Sequence, residues 1–384
     1  MKPVHLNTAG AGLPAPGVLA AMTGQLELEA ELGPYEAEQL RAKDLTQTVY
    51  ARLAELIGAD ADEIALFASA TDAWCRTVCQ LRIPPGSRLW VTRYEYAGNL
   101  IALQRIAKAR GGRLEVIPCL PDGELDLDWI RASLDERVVL VSVVHMPSGA
   151  GVTLPVAEVG ALLAAGSGLA AGSGAVYIVD ACQTVGQLPV DVRAIGCHAL
   201  TGAGRKFLRG PRGSGFAYLR ADLRRRIEPG WYDLHVAEAR SLHEYRVTDQ
   251  SAARFETAER SNAILLGLLT AAEYTLTGPG GPAAEVKAAL LDAVMTTPGI
   301  RLLAPRPLPS AIVSFVHERC PAARIVAGLA AHGVTGWVGH GDHTPLYLAK
   351  DGVAEFVRTS VHHYTSVADI ELFRRSLRQV TEGA

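Results

Sequence analysis

"VYIVDACQTVGQ", residues 176–187, runs through apolar residues into an aspartate and then turns polar. A short apolar run with no polar side to offer water suits a strand covered on both faces, as strands of parallel sheets are. The same shape recurs in "EIALFA" (63–68), "RLWVT" (88–92), "RLEVIP" (113–118), "VVLVSVV" (138–144), "HAL" (198–200) and "GFAYL" (215–219). Helical patterns fill the intervals at 71–81, 97–110, 126–134 and 156–164. Strand–helix alternation of this kind predicts an α/β fold on a mainly parallel, seven-stranded sheet.

Two amphipathic segments, 16–31 and 36–57, precede the sheet, and "GP" at 33–34 should break the helix between them. Beyond it come helices near 260–276 and 283–295, "AIVSFV" (311–316), a helix near 321–332, "EFVRTSV" (355–361) and a final helix. This tail reads as a smaller α+β domain. The expected division is a large domain over 15–250 and a small one made of 1–14 and 251–384. "GSGLAAGSG" (166–174) reads as an exposed loop.

The 384 residues are 49% hydrophobic and 20% charged, enough for a substantial core. A net charge of −3 gives no bulk electrostatic case for nucleic acid or an anionic membrane. "AILLGLLTAA" (263–272) meets Glu273 well short of a bilayer span and reads as a buried helix. "MKPVHLNTAG" has no apolar stretch of signal-peptide length. The six cysteines, Cys75, Cys79, Cys119, Cys182, Cys197 and Cys320, form no C-x-x-C pair. A reducing cytoplasm is expected, with Cys75 and Cys79 as buried free thiols on a helix.

Parallel sheets bind ligands at the carboxyl ends of their strands. After the first strand comes "SATDAW" (69–74), where Ser69, Ala70 and Thr71 could seat a phosphate on a helix N-terminus. A simple N-cap by Thr71 is the alternative. Tyr96, in "RYEYAGN", either covers a flat ligand or packs structurally. His145 and Ser148, in "HMPSGAG", are hydrogen-bond partners or bystanders. Asp180 ends an apolar run, where a buried carboxylate is costly without a cationic partner such as a protonated heteroaromatic nitrogen. A helix N-cap is again the alternative, and Gln183 could reach a second atom of the same ligand. In "TGAGRKFLRGPRGSG" (201–215), Lys206 is framed by glycines and by Arg205, Arg209 and Arg212. An imine-forming lysine needs close backbone approach and neighbouring positive charge that lowers its pKa; a surface lysine needs neither. Phosphate seat, stacking ring, buried acid and lysine, in that order, describe a pyridoxal-phosphate site.

These motifs resemble the class V, fold-type I pyridoxal-phosphate enzymes: cysteine desulfurases, isopenicillin-N epimerase and ergothioneine-pathway C–S lyases. The resemblance spans nearly the whole chain and is most specific in "VDACQTVGQLPVDV" (179–192) and "TGAGRKFLRGPRGSGFAYL" (201–219). It implies pyridoxal 5'-phosphate on Lys206, with Asp180 at the ring nitrogen, Gln183 at the ring hydroxyl and Ala70, Thr71 and Thr201 at the phosphate. It further implies that Thr257, in "RFETAERS", reaches the partner subunit's phosphate in a homodimer, and that Arg358, in "FVRTSVHHYTS", grips an amino acid's carboxylate. Asn7 and Ala9, in "HLNTAGAG", would pass near the substrate.

One departure matters. Desulfurases of this family attack sulfur with a loop cysteine, and the corresponding stretch here, "GWVGHGDHTPLYL" (336–348), carries His340, Asp342 and His343 but no cysteine. Cys320 lies at a strand-to-helix turn instead. The histidines are expected to shape the substrate pocket, His340 foremost, and to hold no metal because fixed ligand spacing is missing. The "GAGLPAPG" at 10–17 precedes no βαβ unit, so no dinucleotide site is expected. "RADLRRR" (220–226) reads as a solvated helix face. The resulting expectation is β-elimination from a cysteine S-conjugate or its sulfoxide, closest to ergothioneine-pathway sulfoxide lyases, giving a thiol or sulfenate, pyruvate and ammonia. Decarboxylating or oxidative deamination of an S-linked cysteine, desulfuration and epimerisation are the enzymatic alternatives. A cofactor-free ligand-binding protein is the non-enzymatic one.

Overall fold

The computed structural model describes residues 3–166 and 174–382; the low-complexity stretch of 166–174 therefore lies almost wholly outside the described residues. The chain opens with β1 (Val4–His5), α1 (Val18–Leu32), α2 (Pro34–Leu40) and α3 (Val49–Ile57). It continues through β2 (Ile64–Phe67), α4 (Ala70–Val78), β3 (Arg88–Thr92), α5 (Ala97–Arg110), β4 (Arg113–Ile117), α6 (Leu127–Ser133), β5 (Val138–Val144) and α7 (Val156–Ala165). Next come β6 (Val176–Asp180), α8 (Val192–Ile195), β7 (Ala199–Ala203), β8 (Gly215–Leu219), α9 (Ala221–Arg226), β9 (Ala237–Ala239) and β10 (Tyr245–Val247). The remainder is α10 (Asn262–Thr277), α11 (Ala284–Met295), β11 (Ile300–Leu302), β12 (Ile312–His317), α12 (Ala322–Ala331), β13 (Val334–Thr335), β14 (Trp337–His340), β15 (Glu355–Ser360) and α13 (Val367–Glu382).

The expected seven-stranded sheet has the order β2-β8-β7-β6-β5-β3-β4. Pairs β6/β7, β5/β6, β3/β5 and β3/β4 are parallel, whereas β8 runs antiparallel to both of its neighbours. Successive residues of an apolar strand point to opposite faces, and β6 shows why it carries no polar side. Tyr177 and Val179 join one buried cluster with Trp90, Val141 and Phe216. Val176 and Ile178 join another with Leu89, Leu140 and Ala217. A third cluster holds the C-terminal elements, where Phe315, Ile325, Val357 and Phe373 pack with Leu6 from the N-terminal segment. The sheet there is β11-β12-β15-β14, antiparallel throughout.

Several expectations change. The segment 36–57 is not one helix: a π-helical turn at Asp44–Thr48 separates α2 from α3, while Gly33 (φ 100°) and Pro34 end α1 as foreseen. Residues 336–348 are no plain loop, since β14 occupies Trp337–His340 and pairs with β15 before a 3-10 turn and a π-helical turn. β7 runs on to Ala203, three residues past the expected end, because Gly202 and Ala203 keep pairing with β8. The basic stretch on α9 is not all solvated: Arg224 is buried, its guanidinium donating to the Asp62 carbonyl and carboxylate and to the Gln250 carbonyl. Cys75 and Cys79 are half-buried, and the six cysteines are free thiols. Among the described residues no helix is long and apolar enough to cross a membrane.

Close packing fixes α7 against the sheet. A Cβ on Gly160 would stand 1.9 Å from the Ile195 carbonyl oxygen and 3.4 Å from the Tyr177 ring. Backbone cannot yield as a side chain tip can, so Gly160→Ala should cost about 2–3 kcal/mol. Thermal denaturation should show the lowered midpoint, with no change in ligand binding at the distant strand ends.

Candidate active site

The carboxyl ends of β2, β3, β5, β6 and β7 share one edge of the sheet. Reversed β8 brings its first residue to the same edge, so Gly213 and Ser214 arrive there too. A cavity of about 420 Å³ opens over this edge, within the range of small-molecule sites. Its lining contains Asp180, Gln183 and Lys206, the rim residues Ser69, Ala70 and Thr71, and Tyr96 and Ser148. Asn7, Ala9 and Arg358 close it from the N-terminal and C-terminal segments.

Asp180 terminates β6 at 8% exposure. Its Oδ1 accepts from the Cys182 N–H (3.0 Å) and its Oδ2 from Asn99 Nδ2 (3.1 Å). Two donors leave lone pairs over for a cationic partner. Lys206 lies half-buried where the chain turns after β7. Burial, above all, lowers its pKa; Cys182 and Asp180 oppose that, and the Arg205 and Arg358 charges add to it. More of the amine is therefore neutral, and nucleophilic, than in an ordinary lysine. Gln183 Nε2 donates to the Ala9 carbonyl (3.1 Å), while its buried Oε1 has no partner among the described residues. Buried polar atoms are rarely left so, and a ligand donor at that point would satisfy it.

The rim is a helix N-terminus. Ser69 caps α4 by accepting from the Asp72 N–H (3.1 Å), so Thr71, whose alternative reading is the cap itself, lies in the first turn instead. The close approach depends on Gly215, where a Cβ would stand 2.4 Å from the Ser69 carbonyl carbon and 2.5 Å from the Ala70 nitrogen. First-turn N–H groups and the helix dipole favour an anion, and Arg205 and Arg212 line the same cavity.

Opposite, Arg358 is buried on β15, its Nη2 donating to Asn7 Oδ1 (3.3 Å) and its Nε without a partner among the described residues. Burial and then the Arg205 charge push its pKa down to about 10. A buried guanidinium without a carboxylate is costly, so this position favours an arriving anion. The N-terminal segment is tied across the lysine turn: Gly12 N–H donates to the Arg205 carbonyl (2.8 Å) and Ala9 N–H to Ser360 Oγ (2.9 Å). Arg209, at φ 63°, donates to the Leu13 and Pro14 carbonyls.

Four expected residues are not in the lining. Thr201 sits within β7, paired with Asp180, because the strand continues; Ala203 takes the strand-end position. His145 is buried behind Met146, its backbone N–H on the Asp180 carbonyl, and burial lowers its pKa to about 4. His340 ends β14, facing Glu355 at 3.8 Å, and His343 lines the cavity in its place with Trp337 and Thr344. Thr257 lines a neighbouring cavity of about 280 Å³. The rings of His340 and His343 meet edge to face at 5.6 Å, and no group of three metal-ligating side chains occurs among the described residues. Cys320 is buried in the C-terminal core, away from the cavity; Cys182 lines it, with burial and then Asp180 holding its thiol well above the usual range. Asn99 was missed, although "YEYAGN" displays it one helical turn after Tyr96.

The aminotransferase class-V family model matches residues 4–373. A cysteine desulfurase of Dickeya dadantii (strain 3937) is 28% identical over 353 residues, covering 88% of this chain and 82% of that protein. One of Synechococcus elongatus (strain ATCC 33912 / PCC 7942 / FACHB-805) is 26% identical, and this chain spans only 55% of its length. Among solved structures, the apo cysteine desulfurase from Thermococcus onnurineus NA1 superposes with a TM-score of 0.87 at 24% identity, over 100% of this chain and 95% of that one. The cystine C–S lyase C-DES, in complex with cysteine persulfide, superposes at 0.84 with 21% identity, over 98% and 97%. At such identities the two structures speak for the fold.

The seat at α4 makes a prediction. Gly215→Ala should displace the Ser69–Ala70 backbone and weaken phosphate binding by about tenfold, the equivalent of roughly 1.4 kcal/mol. Titration calorimetry with inorganic phosphate against the unaltered protein measures it; unchanged affinity would remove the seat from this position.

Proposed function

The chain belongs to the aminotransferase class-V family, and on that premise we propose a pyridoxal-phosphate-dependent C–S lyase acting on a cysteine S-conjugate or its sulfoxide. The fold is that of fold-type I pyridoxal-phosphate enzymes. The cavity residues suit that group: an unpartnered Gln183 Oε1, a carboxylate with spare acceptors, an amine of lowered pKa and an anion seat. Lys206 would carry the cofactor, Asp180 hold its ring nitrogen, Gln183 its ring hydroxyl, and the α4 N-terminus with Arg205 and Arg212 its phosphate. When bound, the cofactor supplies an electron sink that acidifies the Cα–H bond of an amino acid.

The chain's own groups do the rest. Arg358, oriented by Asn7, takes the substrate carboxylate through the paired N–H groups that suit it. That grip sets the Cα–H bond toward the Lys206 amine, which removes the proton as general base. The Cβ–S bond breaks, sulfur leaves as thiol or sulfenate with the bonding pair, and the remaining enamine hydrolyses to pyruvate and ammonia. Trp337, His343 and Thr344, which line the same cavity, would meet the sulfur substituent.

One observation favours elimination over desulfuration. The described lining holds a single cysteine, Cys182, whose thiol is kept protonated, and the 337–344 segment presents His343 and Thr344 instead of a thiol. A persulfide-forming cysteine must be a thiolate. The relatives' name nonetheless keeps desulfuration as the second reading. The division at 15–250 and the cytoplasmic, homodimeric state also belong to the proposal. Thr257 lines a cavity whose lining includes Gly213 but not Lys206, which suits a group lent to a second subunit.

Purified protein should be yellow and bleach with borohydride, leaving the cofactor adduct on Lys206; a colourless protein that takes up no cofactor would support a ligand-binding role. Incubated with cysteine S-conjugates and their sulfoxides, it should release pyruvate and ammonia in equal amounts. Carbon dioxide without pyruvate, or persulfide on Cys182 or Cys320, would overturn the lyase assignment. Arg358→Lys should raise KM about tenfold while changing kcat less, since lysine cannot make the bidentate contact. A strictly monomeric active enzyme in sedimentation would contradict the placement of Thr257.

A further inference from the structure

Behind the cavity lies a second carboxyl that the proposed chemistry does not use. Glu95, between β3 and α5, is fully buried. Its Oε1 accepts from Asn99 Nδ2 (3.0 Å) and from the Tyr96 N–H (3.0 Å), and its Oε2 from Ser142 Oγ on β5 (2.8 Å). Asn99, also buried, donates from the same Nδ2 to Asp180 Oδ2 (3.1 Å). An amide nitrogen has two hydrogens, so Asn99 spends one on each carboxyl group.

We propose that Glu95 is a positioning residue for the cofactor's ring-nitrogen partner: through the shared Asn99 amide it fixes the Asp180 carboxylate and, by its own charge, tunes the protonation of the ring nitrogen that Asp180 meets. The inference rests on the pyridoxal-phosphate reading of the cavity.

The hydrogen bonds show how charge can change without losing the bridge. Of the three donors to Glu95, the Asn99 and Tyr96 N–H groups cannot accept a hydrogen bond in return. The Ser142 hydroxyl can turn. A proton taken up by Glu95 therefore settles on Oε2, facing Ser142, and Oε1 continues to accept from Asn99. Asp180 keeps its donor in both states, and what alters is a negative charge one amide away. Burial first, and then the Asp180 charge, raise the pKa of Glu95 to about 7, against the three hydrogen bonds that favour the anion. Asp180 on β6 is the charged group that acts on Glu95 directly; Cys182 and Lys206 interact with Asp180 in turn, and the Arg205 charge acts on both of them. As pH rises through neutrality Glu95 ionises, and the added negative charge should hold the ring proton more firmly.

The test is the pH dependence of the visible absorbance of the purified holoenzyme, with kcat/KM followed in parallel. Glu95→Gln can accept through Oε1 and donate to Ser142 Oγ, and so reproduces the neutral acid. Its absorbance should lack the step near pH 7 and follow the low-pH profile of the parent. Ser142→Ala removes a donor that favours the anion, so the step should move up by about one pH unit. A purely structural role for Glu95 would move neither. Parent-like absorbance profiles in both variants would overturn the proposal while leaving the cofactor on Lys206 intact. If Glu95→Gln does not fold, an unmoved step in Ser142→Ala overturns it alone. A parent protein that takes up no cofactor would fail the functional reading instead, and the two failures are distinct.

Discussion

An acid that ends one strand and an amine just past the end of its parallel neighbour must share one enclosed site, and most of the molecule serves that requirement. β6 delivers Asp180 and β7 leads into Lys206, while the in-register pairing of Asp180 with Thr201 holds the two strand ends side by side. Charges so enclosed are costly unless partners are fixed in advance. The sheet provides the fixity. Both faces of β6 are covered by side chains that cannot shift without opening a void. The geometry at the strand ends is thus inherited from packing several residues away.

Much of this was legible because continuous apolar runs are simple signals. β3, β5, β6 and β8 occupy the very spans that the apolar pattern marks, and Asp180 stands out because polar residues seldom end such runs without a purpose. Lys206 stands out by its glycines, two of which stand where a Cβ would collide: on Gly202 it would meet the Phe216 ring at 2.4 Å, and on Gly204 the Ser214 hydroxyl at 2.0 Å.

What escaped the sequence is what tertiary proximity decides. Nothing in "YEYAGN" shows that one amide will face two carboxyl groups, because the second arrives from β6, 81 residues later. The exchange of His340 for His343 has the same origin. Strand β14 pairs along β15 as far as His340↔Glu355, and the turn past that point brings His343 and Thr344 to the cavity that Trp337 also lines. Thr201 shows what a strand boundary decides, since a strand that runs on keeps the residue inside the sheet and brings Ala203 to its end.

The segment tied across the lysine turn has a temporal consequence. Ala9 bonds Ser360, 351 positions away, and Val4 pairs with Val334. During synthesis the segment around Val4 and Ala9 therefore leaves the ribosome long before Val334 and Ser360, with which it pairs. Contacts of such long separation slow the final step of folding, although closing the loop adds only a logarithmic entropy. This wall of the cavity therefore closes late, once Ser360 has been made and can receive the segment around Ala9.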